Sequence, residues 1–109
     1  MDRYYSAQSV GGLTAAEWEV LYLLYDALDQ LRKMTLSFSE LRYLAVEHTE
    51  EQIRAAVVSL LDPVAHNKPF DTPLIVQIPN LANLPIYRVT PRGRDLVMSQ
   101  KGLAETGSR

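Results

Sequence analysis

Apolar residues recur at two interlocking helical spacings near the start of the chain. Trp18, Leu21, Tyr22, Tyr25 and Leu28 form one stripe, and Val20, Leu24, Leu28 and Leu31 form the other. Repeats of three and four residues predict a helix, here apolar over more than half of its circumference. Thr14-Ala15-Ala16-Glu17 supplies its start: in a capping box the hydroxyl and the carboxylate each satisfy a backbone N–H that the first turn leaves unpaired. One neighbour cannot cover both stripes. The pattern therefore predicts a second helix or a second subunit over the outer one.

Two further capping boxes follow, Ser37-Phe38-Ser39-Glu40 and Thr49-Glu50-Glu51-Gln52. The first opens a short helix carrying Leu41, Leu44 and Ala45. The second opens a helix that places Ile53, Ala56, Val57, Leu60 and Leu61 on one face and stops at Asp62-Pro63, because proline cannot continue the ladder of backbone hydrogen bonds. Only Val46, Glu47 and His48 separate the two, the spacing of a helix-turn-helix.

Beyond residue 62 the period changes from helical to extended. Pro63, Pro69, Pro73, Pro79 and Pro85 punctuate the chain, and none suits a central strand. Between them, residues 74–78 and 86–90 are rich in branched and aromatic side chains and read as a β-hairpin across a turn-prone loop. Thr90-Pro91 then starts a last helix bearing Leu96 and Val97, which the pattern ends at Gly102. The expected organisation is an N-terminal arm over residues 1–13, one domain over 14–101 and a flexible tail over 102–109. Tyr4 and Tyr5 in the arm offer a contact for a partner.

Composition narrows the class. With 109 residues, 47% of them hydrophobic and 22% charged, the chain suits a single globular core rather than a disordered or fibrous protein. It contains no cysteine, which excludes disulfides, thiolate metal sites and a cysteine nucleophile. A basic segment leading into an apolar run is lacking at the N-terminus, and no apolar stretch approaches the roughly 20 residues of a membrane span. A cytoplasmic location is expected, with no membrane partner.

The net charge of −2 hides an asymmetry. Residues 1–53 carry 4 basic against 9 acidic side chains, a balance of −5, and residues 54–109 carry 7 against 4, a balance of +3. The mildly basic C-terminal half suits an anionic partner.

The order helix, helix-turn-helix, hairpin, helix resembles a winged-helix domain. Ala16-Glu17-Trp18-Glu19-Val20-Leu21 is similar to the opening of the first helix in penicillinase-repressor-type regulators. Tyr87-Arg88-Val89-Thr90-Pro91-Arg92-Gly93 is similar to the wing-to-helix segment of MarR and PadR type transcriptional regulators. The resemblance implies an α+β, mostly α fold: a three-helix core, a two-stranded wing and a C-terminal helix, with the third helix presented to DNA. The chain departs from those families at residues 62–73, a longer and Pro-rich connection where they use a short Gly-containing turn, and in the acidic start of its third helix.

On that reading, Glu51, Gln52, Arg54 and Ala55 face the major groove. Gln52 and Arg54 have the amide and guanidinium that read adenine and guanine edges, and Glu51 can accept from cytosine. Arg42, Lys68, Arg88, Arg92 and Arg94 are candidate phosphate contacts. Trp18, Tyr22, Tyr25, Leu28, Leu31, Leu96 and Val97 are candidate homodimer contacts, matching a palindromic duplex site.

His48 and His66 have no second histidine at helical spacing, and no nucleophile motif or Gly-rich phosphate loop accompanies them, so neither a metal, a cofactor nor an enzyme is expected. The expected function is a small homodimeric DNA-binding transcriptional regulator. The alternative is a winged-helix module that binds another protein through the acidic third helix or through the loop bearing Leu81 and Leu84.

Overall fold

The computed structural model describes residues 12–107. The expected arm, Tyr4 and Tyr5 included, lies outside the described residues except at its last two positions. The elements are α1 (Ala15–Asp29), β1 (Leu36–Ser37), α2 (Phe38–Leu44), α3 (Glu50–Leu61), a single 3-10 turn (Val64–His66), β2 (Ile75–Gln77), β3 (Ile86–Val89) and α4 (Pro91–Gly107). The described residues thus form an α+β, mostly helical fold with four α-helices and a three-stranded antiparallel sheet in the order β1-β3-β2. No helix among them is long and apolar enough to cross a membrane.

All three capping boxes form. Thr14 N–H donates to Glu17 Oε1 at 2.8 Å while Glu17 N–H donates to Thr14 Oγ1 at 3.2 Å. Ser37 with Glu40, and Thr49 with Gln52, repeat the exchange. Each box fixes its helix start from residues three apart, independently of the rest of the fold.

The sheet has one strand more than the pattern predicts. Leu36 and Ser37 pair with Tyr87 and Ile86, on the edge of β3 opposite β2. Ser37 therefore ends a strand and caps α2 at once, which locks the start of α2 onto the sheet.

Most of both stripes of α1 finds cover within the chain, with Tyr22 and Leu28 half-buried and Leu31 exposed. Trp18, Val20, Leu21, Leu24 and Tyr25 are buried with Leu41, Ile53, Leu60, Ile75, Val89 and Val97 in one continuous core. α1 packs on α3, α4 and β3. The neighbouring helices and sheet, rather than a second subunit, cover most of its circumference.

The Pro-rich connection folds back as a strap over the start of α1. Lys68 N–H donates to the Pro63 carbonyl at 2.9 Å, Phe70 is buried, and Pro69 lies over Gly12, where a Cβ would come within 2.4 Å of its ring. α4 is pressed just as tightly onto the strand that leaves the strap. Thr90 caps it by accepting from Gly93 N–H at 3.1 Å, and a Cβ on Gly93 would meet the Leu74 carbonyl oxygen at 2.3 Å. The helix does not end at Gly102 as the pattern predicts but continues to Gly107.

Candidate nucleic-acid interface

α2 and α3 are held against the core by Leu41, Ala45, Ile53, Ala56 and Val57, which leaves a fixed outward surface on α3. Successive residues turn by about 100°. Glu51, Ala55 and the half-exposed Val58 therefore form the middle of that surface, with Gln52 on one flank and Glu50 and Arg54 on the other. The expected groove-facing residues Glu51, Gln52, Arg54 and Ala55 are all exposed. Gln52 is partly committed: its Oε1 accepts from Thr49 N–H at 2.8 Å, which leaves the amide nitrogen as its unengaged end.

Arg54 is the one cation on α3, and two neighbours position it. Its Nη2 contacts Glu50 Oε2 at 2.5 Å, and its guanidinium lies 4.7 Å from the centre of the Phe38 ring. It also lies close enough to Tyr87 for its charge to favour the phenolate. Burial has the larger effect there and holds the Tyr87 hydroxyl above its ordinary pKa. The other oxygen of Glu50 faces Arg42 Nη1 on α2 at 3.6 Å. One carboxylate thus spans two guanidinium groups from two helices. Sequence reading placed Arg42 and Arg54 in the site but missed Glu50 as their link and Phe38 as the stacking ring; only the four-residue spacing of Glu50 and Arg54 signalled part of it.

The remaining expected phosphate contacts divide by location. Arg88 is exposed on β3, between the buried Tyr87 and Val89 that alternate with it onto the core side. Arg94, in the first turn of α4, borders with Arg88 an open cleft of about 250 Å³ whose walls include Leu28, Met34, Pro91 and Asp95. Arg92 points to another side of α4, its guanidinium 5.8 Å from the centre of the Phe70 ring, where it borders a shallow depression with Lys68 and Asp71.

Lys68 is corrected from a phosphate contact to a structural one. Its ammonium lies 2.8 Å from Glu17 Oε1, with the two side chains only 16% and 6% exposed. Ser59 Oγ donates to the other oxygen of Glu17. Burial alone pushes the Glu17 carboxyl up. The hydrogen bonds from Lys68, Ser59 and Thr14, with the charge of Lys68, outweigh it and hold the group below the usual glutamate value. A lysine so engaged has no free charge to offer a duplex.

The expected dimer residues also separate. Trp18, Tyr25 and Val97 are 1%, 6% and 0% exposed within the single chain, so the intramolecular core leaves them no surface to share, and they are corrected to core residues. Tyr22, Leu28 and Leu96 are half-buried at its margin. Leu31, beyond the end of α1, is exposed and borders an apolar depression with Leu36, Tyr43 and Leu44.

The histidines sit apart. His66 Nδ1 lies 3.0 Å from the Asp62 carbonyl oxygen. His48 is half-buried in the turn before α3, with its Nε2 covered and without a hydrogen-bond partner among the described residues. No group of three metal-ligating side chains occurs among those residues.

Neither a protein-family model nor a curated protein matches the chain. A solved structure of Bordetella bronchiseptica BpsR, described as addressing the mechanism for regulation of its DNA binding by 6-hydroxynicotinic acid, is similar over 92% of this chain, with a TM-score of 0.60 and 22% sequence identity. This chain spans 65% of the length of that one. At this identity the likeness is one of fold alone.

Proposed function

We propose that the chain is a winged-helix DNA-binding domain of a transcriptional regulator, acting as a homodimer on a palindromic duplex site. The observation that carries this reading is the fold shared with BpsR over 92% of the chain. The exposed surface supports it: α3 presents Glu51, Gln52, Arg54 and Ala55 outward, and Arg88 on β3 and Arg92 and Arg94 on α4 are exposed as well.

In this reading α3 enters the major groove, where Arg54 reads guanine, the Gln52 amide nitrogen donates to a base edge and the Ala55 methyl contacts thymine. β2, β3 and their loop form the wing. Arg42, Arg88, Arg92 and Arg94 contact phosphates and set register. Tyr22, Leu28, Leu31 and Leu96 form the homodimer contact, whose twofold axis fixes the spacing of the half-sites. A second reading, a protein-binding module, is favoured by the acidic and apolar centre of α3 and by the exposed Leu81 and Leu84 of the hairpin loop.

Binding to a random 20-base-pair duplex, followed by fluorescence anisotropy at low salt, separates the two. A regulator binds with an affinity that falls as salt rises, by a slope of about 0.9 on logarithmic axes per phosphate neutralised. Replacing Arg88 and Arg94 with alanine then weakens binding and flattens that slope. Absence of binding at low salt overturns the DNA reading in favour of a protein partner. Light scattering tests the dimer, and Leu31→Glu, at an exposed position, dissociates it without unfolding the chain.

A further inference from the structure

We infer that Glu50 is a specificity gate on the DNA-facing surface: it masks the charge of Arg42 and Arg54 against phosphates while leaving Arg54 able to read a base edge. The inference rests on the DNA-binding reading and goes beyond it in naming a residue that opposes binding to make binding selective.

The geometry carries it. The two oxygens of Glu50 face Arg54 at 2.5 Å and Arg42 at 3.6 Å. All three side chains are about half exposed, so the bridge lies on the surface rather than in the core, where it would serve the fold. Two cations and one anion leave a single positive charge where the sequence alone suggests two. A phosphate approaching either guanidinium meets an anion already in place, and must displace it or bear its repulsion.

Base edges are treated differently. The guanine O6 and N7 acceptors are neutral, so the nearby carboxylate costs them far less than it costs a phosphate. Arg54 has five N–H donors and gives Glu50 a contact from one terminal nitrogen. The Phe38 ring, 4.7 Å from the guanidinium centre, restricts the orientations of that planar group. The bridge therefore lowers long-range attraction to any duplex but keeps a pre-oriented donor for the right one. Selectivity is a difference of affinities, and a built-in repulsive element raises it as effectively as an added contact.

The test compares Glu50→Gln with the unaltered protein and with Glu47→Gln, which removes an equal charge from the exposed turn before α3, outside the bridge. The probes are a random 20-base-pair duplex and the duplex most enriched by the unaltered protein from a randomised pool. With about 0.9 in slope gained per arginine released, Glu50→Gln binds the random duplex on the order of tenfold more tightly at 50 mM salt, with a steeper salt dependence. Its preference for the enriched duplex falls by a similar factor. Glu47→Gln moves both quantities less than about threefold, the size of a general charge effect.

Equal affinity and slope for Glu50→Gln and the unaltered protein overturn the gate, as does an effect no larger than that of Glu47→Gln. Gain on both duplexes alike overturns the selectivity and leaves only charge masking. If neither protein binds any duplex at low salt, the DNA-binding reading itself fails, and the gate with it. Circular dichroism of the variants confirms that α3 remains intact.

Discussion

Two carboxylates in this chain, one holding a single lysine and the other two arginines, differ in burial, and that difference sets them to different tasks. Glu17 sits in the core-facing start of α1 with Lys68 and Ser59. Glu50 sits in the open between Arg42 and Arg54. In the first case little water reaches the pair, so each charge depends largely on the other and the strap bearing Lys68 is fastened to α1. In the second, water competes for every charge, the bridge adds little to folding, and the groups stay free to exchange partners. The same chemistry that closes the fold at one place stays open to an anionic ligand at the other.

The largest expected effect breaks the buried side of this comparison. Lys68→Ala removes the counter-ion of Glu17 and leaves its carboxylate to Ser59 and the Thr14 N–H, at a cost of about 2 to 3 kcal/mol in denaturant unfolding. Replacing both partners at once, as Glu17→Gln with Lys68→Met, costs less than the single change, because no isolated charge remains. If Lys68→Ala unfolds at the same denaturant concentration as the unaltered chain, the strap is not held by this pair. The contrast drawn with Glu50 then disappears.

The pH dependence sharpens the same point. The Glu17 carboxyl is held below the usual value of 4.5 by hydrogen bonds from Lys68, Ser59 and Thr14 that exceed the opposing effect of burial. A depressed carboxylate contributes stability that is fully present above its unfolded value and is lost as pH falls through the folded one. Melting temperatures measured from pH 6 to pH 3 therefore fall steeply below about 4.5 for the unaltered chain and more gently for Glu17→Gln. Glu40 is also held low, by Lys33 and the Ser37 backbone, but it lies near the surface and its share of the acid limb is smaller.

The two bridges also differ in how far the sequence reveals them. Capping boxes at Thr14, Ser37 and Thr49 are legible because donor and acceptor lie three residues apart, and all three form. The hairpin and the start of α4 are equally local, set by prolines and by Thr90. Glu17 and Lys68 are 51 positions apart, and nothing in the pattern of either segment joins them. Lys68 therefore reads as a free surface cation until the strap is seen to fold back. Periodicity shows that α1 has two apolar faces but not what covers them, so Trp18, Tyr25 and Val97 read equally well as core or interface. β1 is two residues long, too short for any alternation. Gly102 does not stop α4, since one glycine inside a helix costs only about 1 kcal/mol relative to alanine. Of the candidate site, Glu50 with Arg54 was within reach as a four-residue pair, but the approach of Arg42 to the same carboxylate depends on how α2 packs on α3.

The exposed side of the comparison predicts a large functional effect with a small structural one. Arg54→Ala changes unfolding free energy by no more than about 0.5 kcal/mol, as expected for an exposed ion pair. It nevertheless weakens binding to the enriched duplex by about 1 to 3 kcal/mol and relaxes the preference at one base position, with little change in the salt slope. An unchanged duplex affinity removes Arg54 from the interface.

The smallest effect is the most discriminating. In a double-mutant cycle on stability, Glu50→Gln and Arg54→Ala show a coupling of about 0.3 to 0.5 kcal/mol at low salt, the range of an exposed pair four residues apart on a helix. That coupling fades toward zero near 1 M salt, where the screening length is about 3 Å. The corresponding cycle on Glu17 and Lys68 keeps most of its coupling at the same salt, because a largely buried pair is screened much less. If instead the Glu50 coupling is large and indifferent to salt, the bridge is a structural tie between α2 and α3. Displacing it then carries a folding cost that no DNA phosphate readily offsets, and Glu50 belongs with Glu17 as part of the fold rather than with the residues that meet a ligand.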